Sequence, residues 1–130
     1  MIMDASALLA IVNGEPESDS FTKILGSTRG ISMSVVNHFE VAIKVDRHPN
    51  PVLARRTEQL MERAGIELVP VSLEQAVIAR AAYRDFGKGS GHPAQLNLGD
   101  CFAYALATVT KEPLLYKGND FVHTDIRSAV

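Results

Sequence analysis

Hydrophobic and polar positions along the chain alternate between short apolar runs and longer stretches with helical spacing. Residues 1–3 form an apolar stub read as a first strand, and residues 5–12 are good helix formers stopped by Asn13-Gly14. Residues 15–25 place Phe21, Ile24 and Leu25 at helical spacing with Gly26 as the expected end, and residues 31–34 make a brief strand. In residues 35–45 the apolar positions Val35, Phe39, Ala42 and Ile43 follow the i, i+4, i+7, i+8 rule, which predicts that this face turns inward. His48-Pro49-Asn50-Pro51 breaks the pattern. An amphipathic helix carrying Leu53, Leu60 and Met61 follows and ends at Gly65. Residues 66–71 read as a β-branched strand, and Ser72 with Gln75 as a capping box opening a helix through Val77, Ile78, Ala81 and Ala82 to Phe86. Residues 87–97 read as a loop, 98–110 as a strongly apolar helix, 114–116 as a strand and 118–120 as a turn.

Strands alternating with helices predict an α/β sandwich around a mostly parallel sheet with right-handed crossovers, and functional groups at the strands' carboxyl ends. A length of 130 residues fits one domain spanning 1–130. The 46% hydrophobic and 22% charged composition is that of an ordinary folded globule. Cys101 is the one cysteine, which rules out an internal disulfide and a thiolate zinc site built from this chain alone. With no basic leader and no apolar run long enough to span a bilayer, a cytoplasmic location without membrane contact is expected. The net charge of −2 lacks the basic footprint usual in proteins that handle nucleic acid. That objection weakens if acids are gathered around cations, because the local field is then set by the ion.

Four acids occupy positions where such gathering is possible. Asp4 follows the first strand, Asp120 lies past the last, Asp100 stands in the first turn of the apolar helix, and Glu40 sits between Phe39 and Val41. Grouped carboxylates raise one another's pKa unless a divalent cation offsets the repulsion, and hard oxygen donors suit Mg²⁺ or Mn²⁺. Such ions activate water and stabilise charge on a phosphodiester. Each acid also has a plainer reading. Asp4 and Asp100 can serve as helix caps, Glu40 as a solvated helix residue and Asp120 as turn chemistry.

Other patterns fail on inspection. His38-Phe39-Glu40 matches half of a zinc deaminase signature whose two-cysteine half is missing. The run Gly87-Lys88-Gly89-Ser90-Gly91 lacks phosphate-loop spacing and follows a helix where a strand is required. A phospho-receiver-like domain needs an acceptor Asp after the central strand, and Val69-Pro70-Val71-Ser72 offers none. Arg55, Arg56, Arg63, Arg80, Arg84, Lys88 and Lys117 are available as phosphate contacts or as a solvated face.

The segments Met3-Asp4-Ala5-Ser6-Ala7-Leu8, Asn37-His38-Phe39-Glu40-Val41, Leu96-Asn97-Leu98-Gly99-Asp100-Cys101-Phe102-Ala103-Tyr104-Ala105 and Gly118-Asn119-Asp120-Phe121 with Thr124-Asp125 resemble PIN-domain toxins of the VapC type along the whole chain. The resemblance implies a PIN-like three-layer sandwich and a metal-dependent endoribonuclease acting as the toxin of a toxin–antitoxin pair. Its site would be the quartet Asp4, Glu40, Asp100 and Asp120, with Asp4 and Asp100 as direct Mg²⁺ or Mn²⁺ ligands. Ser6, Asn119 and Asp125 would position substrate or water, Asp125 being the reserve for the fourth acid. It further implies a VapB-type antitoxin partner, an RNA substrate such as tRNA or rRNA, and a homodimer within a larger complex. The alternative is a catalytically idle PIN-like module that holds RNA or a partner.

Overall fold

The computed structural model describes residues 1–130. Its strands are β1 (Ile2–Met3), β2 (Ser32–Ser34), β3 (Glu67–Val69) and β4 (Leu114–Leu115). They form one sheet in the order β3-β2-β1-β4 with every pair parallel. Six helices connect and cover it: α1 (Ala5–Val12), α2 (Ser18–Ser27), α3 (Val35–Asp46), α4 (Val52–Ala64), α5 (Leu73–Phe86) and α6 (Leu98–Thr110), followed by a 3₁₀ turn at Phe121–His123. A parallel sheet needs cover on both faces because its crossovers lie there.

The strand period of two sends neighbouring residues into different cores. Met3 and Leu115 join a cluster with residues of α1 to α4, while Ile2 and Leu114 join one with α5 and α6. These are the three layers expected from the sequence. Because β1 is flanked by β2 and β4, the segments that leave their carboxyl ends lie side by side. Asp4 begins α1 there, Ser34 begins α3, and the turn bearing Asp120 follows β4.

Local chemistry accounts for most boundaries. Ser34 caps α3 by accepting from the N–H of Val36, and Asn97 and Asp100 form a reciprocal capping box on α6. Gly65 ends α4 in the left-handed region at φ 64°, where a side chain is disfavoured. The Ser72 hydroxyl accepts from the Gln75 N–H as expected, but the Gln75 amide turns to the Pro70 carbonyl, so the box is only half formed.

Three expectations need correction. Gly26 does not close α2, which runs through it to Ser27. In α3 the buried face is Asn37, Val41 and Val45, whereas Phe39 is 64% exposed and Val35 and Ile43 are 37% exposed. The apolar stripe misled because a polar residue, Asn37, occupies the core-facing line. In α5 the buried residues are Gln75, Ala79 and Ala82 while Val77 faces outward, for the same reason.

Candidate active site

Asp4 is the N-cap of α1 and is 3% exposed. Its Oδ2 accepts from the Ser6 N–H at 3.0 Å and from the Ser6 hydroxyl at 2.5 Å. That hydroxyl also accepts from the Lys117 N–H at 3.0 Å, so one serine ties the end of β1 to the end of β4. Ser6 therefore holds the first acid and does not cap the helix. Asp100, 8% exposed, accepts the Asn97 N–H through Oδ2 at 3.0 Å. Glu40 accepts from the Asn37 amide at 2.8 Å, and its carboxylate lies against Gly99 of α6.

The four acids belong to separate elements, yet they feel one another. Burial is the main cause that raises Asp4 above the usual carboxylate range, with Asp120 adding to it and Ser6 opposing it. Burial likewise raises Glu40, Asn37 opposes it, and Asp4 adds to it. Asp100 is pushed up to about 7, first by burial and then by Asp4, Asp120 and Glu40, against the Asn97 N–H. Burial and neighbouring like charge both oppose ionisation in this way. None of the four forms an ion pair, and Lys44 acts on Glu40 as the one opposing cation.

These carboxylates do not converge into a ready-made coordination cage, since no group of three such side chains meets in metal-binding geometry. Three of the four are turned toward a local donor instead: Asp4 toward Ser6, Glu40 toward Asn37 and Asp100 toward Asn97. The donor set nevertheless fits a hard divalent cation. It consists of carboxylate oxygens, and none of them is ion-paired with a cationic side chain.

Asp120 is exposed on the turn after β4, and its charge reaches Asp4 and Asp100. Asn119 is exposed beside it. Asp125 is engaged elsewhere, accepting the Tyr104 hydroxyl at 2.7 Å. Burial, together with that bond, raises the Tyr104 hydroxyl to about 12. Lys117, one of the basic residues available for phosphate, is held by Glu15 at 2.9 Å and Glu17 at 3.3 Å. Cys101 is buried, and its thiol is pushed up to about 11 by burial and by Asp100, which fits a small core residue and not a nucleophile.

The PIN domain family model matches residues 1–127. The chain belongs to the PIN-domain family. Among its relatives, "Ribonuclease VapC42" of Mycobacterium tuberculosis is 46% identical over 129 residues, covering 99% of this chain and 98% of that protein. "Ribonuclease VapC28" of the same organism is 45% identical over 130 residues, covering 100% and 98%. Among solved structures, Mycobacterium tuberculosis VapC20, titled a sarcin-ricin loop cleaving toxin, superposes with a TM-score of 0.74 at 12% identity, covering 96% of this chain and 95% of that one. A toxin–antitoxin complex from Klebsiella pneumoniae superposes at 0.69 with 17% identity, covering 92% and 88%. At those identities the two structures speak for the fold alone.

In this PIN domain the first turn of α6 has acids on one side and an open cleft of about 450 Å³ on another. The cleft reaches Asn97, the partner of Asp100, and is walled by Arg80, Tyr83, Lys88, Leu98 and Phe102 without a carboxylate. Neither Arg80 nor Lys88 is ion-paired. Two residues that sequence reasoning passed over lie against Glu40: Asn37, wholly buried, and Gly99, whose missing side chain leaves room for that carboxylate. The signal was available, since a glycine inside a helix costs about 1 kcal/mol relative to alanine and so suggests a close approach.

Proposed function

We propose that this chain is a metal-dependent endoribonuclease acting as the toxin of a VapBC-type toxin–antitoxin pair. The observation that carries the reading is the mutual electrostatic influence of Asp4, Glu40, Asp100 and Asp120, far apart in sequence and unpaired by any cationic side chain. Relatives called ribonucleases, matched over nearly their whole length, agree with it.

Asp4 and Asp100 would hold Mg²⁺ or Mn²⁺. When bound, the cation offsets the acids' repulsion and supplies the Lewis acidity that activates water and stabilises charge developing on the phosphodiester. Glu40 and Asp120 would hold a second ion or orient the attacking water, and one of them would accept its proton. Ser6 keeps Asp4 in place through its hydroxyl. Asn119 positions substrate beside Asp120, with Asp125 as the reserve acid. RNA follows the cleft beyond Asn97, where Tyr83 and Phe102 offer rings for stacking and Arg80 and Lys88 offer phosphate contacts.

The whole chain is read as one domain working in the cytoplasm; no helix is long and apolar enough to cross a membrane. A VapB-type antitoxin and a second copy of the chain are its expected partners, and a short DNA-binding protein should be encoded immediately upstream. The exposed Phe39 fits the homodimer, which sedimentation of the purified toxin would test.

Purified, antitoxin-free protein given tRNA or rRNA with Mg²⁺ or Mn²⁺ should make discrete cuts that EDTA stops and Asp100→Asn abolishes. An Asp100→Asn variant that cuts as well as the parent would overturn the assignment. Growth arrest persisting in Asp4→Ala and Asp100→Ala would favour an idle binding module.

A further inference from the structure

Full burial is an uncommon setting for an amide side chain, and Asn37 is 0% exposed. Its Nδ2 donates twice, to Glu40 Oε1 at 2.8 Å and to the Gly99 carbonyl at 3.0 Å, while its Oδ1 has no partner. The flipped amide would set Oδ1 against a carboxylate and a carbonyl, three acceptors with no proton among them, so the donor must face inward. From the other side, the Glu40 carboxylate rests on Gly99 so closely that a Cβ at that position would collide with both of its oxygens. One helix thus contributes an amide and the other an absence, and both act on the same carboxylate.

We infer that Asn37 and Gly99 clamp the Glu40 carboxylate against the first turn of α6, one residue from Asp100, and that Asn37 is a positioning residue of the acidic site. The clamp itself is a matter of packing. Its consequence for catalysis rests on the nuclease reading, so the two need separate measurements.

The packing is tested by thermal unfolding of metal-free protein in a cycle of Gly99→Ala with Glu40→Ala. Alanine is the better helix former, so Gly99→Ala alone would ordinarily raise Tm. With Glu40 in place the added methyl pushes the carboxylate off the Asn37 amide, and the loss of that charged hydrogen bond outweighs the helix gain, so Tm falls. In the Glu40→Ala background the methyl fills vacated space and Tm rises. The same sign in both backgrounds overturns the clamp.

The consequence is tested with Asn37→Ala. Supporting groups of this kind typically contribute 10–100-fold, so kcat for RNA cleavage and Mn²⁺ affinity by calorimetry should each drop by about that factor, with KM within about twofold. In the Glu40→Ala background, Asn37→Ala should weaken Mn²⁺ binding no further. Equal losses in both backgrounds would make Asn37 a general packing residue and overturn its positioning role. If Asn37→Ala does not fold, Gly99→Ala takes its place in the same cycle, since it moves Glu40 while leaving the amide intact. Reversal of the Tm sign in a protein that neither binds Mn²⁺ nor cuts RNA would keep the clamp and reject the nuclease.

Discussion

Replacing Asp100 with asparagine removes a charge from a poorly solvated place while conserving volume and the acceptor for the Asn97 N–H. The folded carboxyl sits at about 7 against an ordinary 3.8, so the folded chain holds its proton more tightly than the unfolded one. Stability from such a group is present at low pH and is lost as pH rises through about 7. At about 1.4 kcal/mol per pH unit, the asparagine variant should exceed the parent by about 4 kcal/mol at pH 8 and by under 1 kcal/mol near pH 4. Solvent reaching the carboxyl screens part of that penalty, so about 4 kcal/mol is the upper bound of the difference. Urea unfolding of both proteins in EDTA at the two pH values gives the comparison directly. Saturating Mn²⁺ should then stabilise the parent increasingly with pH and leave the variant unmoved. A stability gap that is the same at pH 4 and pH 8 would refute the argument that Asp100 is a strained buried acid.

The two candidates for the fourth acid separate cleanly. Asp120→Asn should slow RNA cleavage severely, whereas Asp125→Ala should leave cleavage intact and cost about 1 kcal/mol in urea unfolding through the lost Tyr104 bond. Changing Arg80 and Lys88 together to alanine should weaken RNA binding measured by anisotropy without divalent ions, and reduce the salt slope by about 2. Truncating Leu106, 1% exposed in the α5–α6 core, to alanine should cost about 2–5 kcal/mol in the same unfolding assay.

Element order and most boundaries could be read from the chain because they are set locally, by Ser34, Ser72 and Asn97 at helix starts and Gly65 at a helix end. Which face of α3 and α5 turns inward could not, because their inward lines carry Asn37 and Gln75 and their outward lines carry Phe39 and Val77. Apolar periodicity reports burial only where the core is wholly apolar, and a core that supports a charged site is not. The acids themselves stood at strand ends and helix starts, where capping explains a carboxylate equally well. For Asp4 and Asp100 both descriptions hold, since each satisfies backbone donors and also faces the other acids. What connects them, the Ser6 bridge to Lys117 and the Asn37 bond to Gly99, spans 111 and 62 residues and has no local signature.

Asp4 and Asp100, distant in sequence, are proposed to hold a divalent cation, with Glu40 and Asp120 beside it. Crystals of the toxin grown without antitoxin and soaked in Mn²⁺ test it through the anomalous signal of the metal. A dominant peak is expected within coordination distance of both Asp4 and Asp100, lost in Asp100→Asn crystals. A dominant peak held by other residues, or one that survives that substitution, would contradict it.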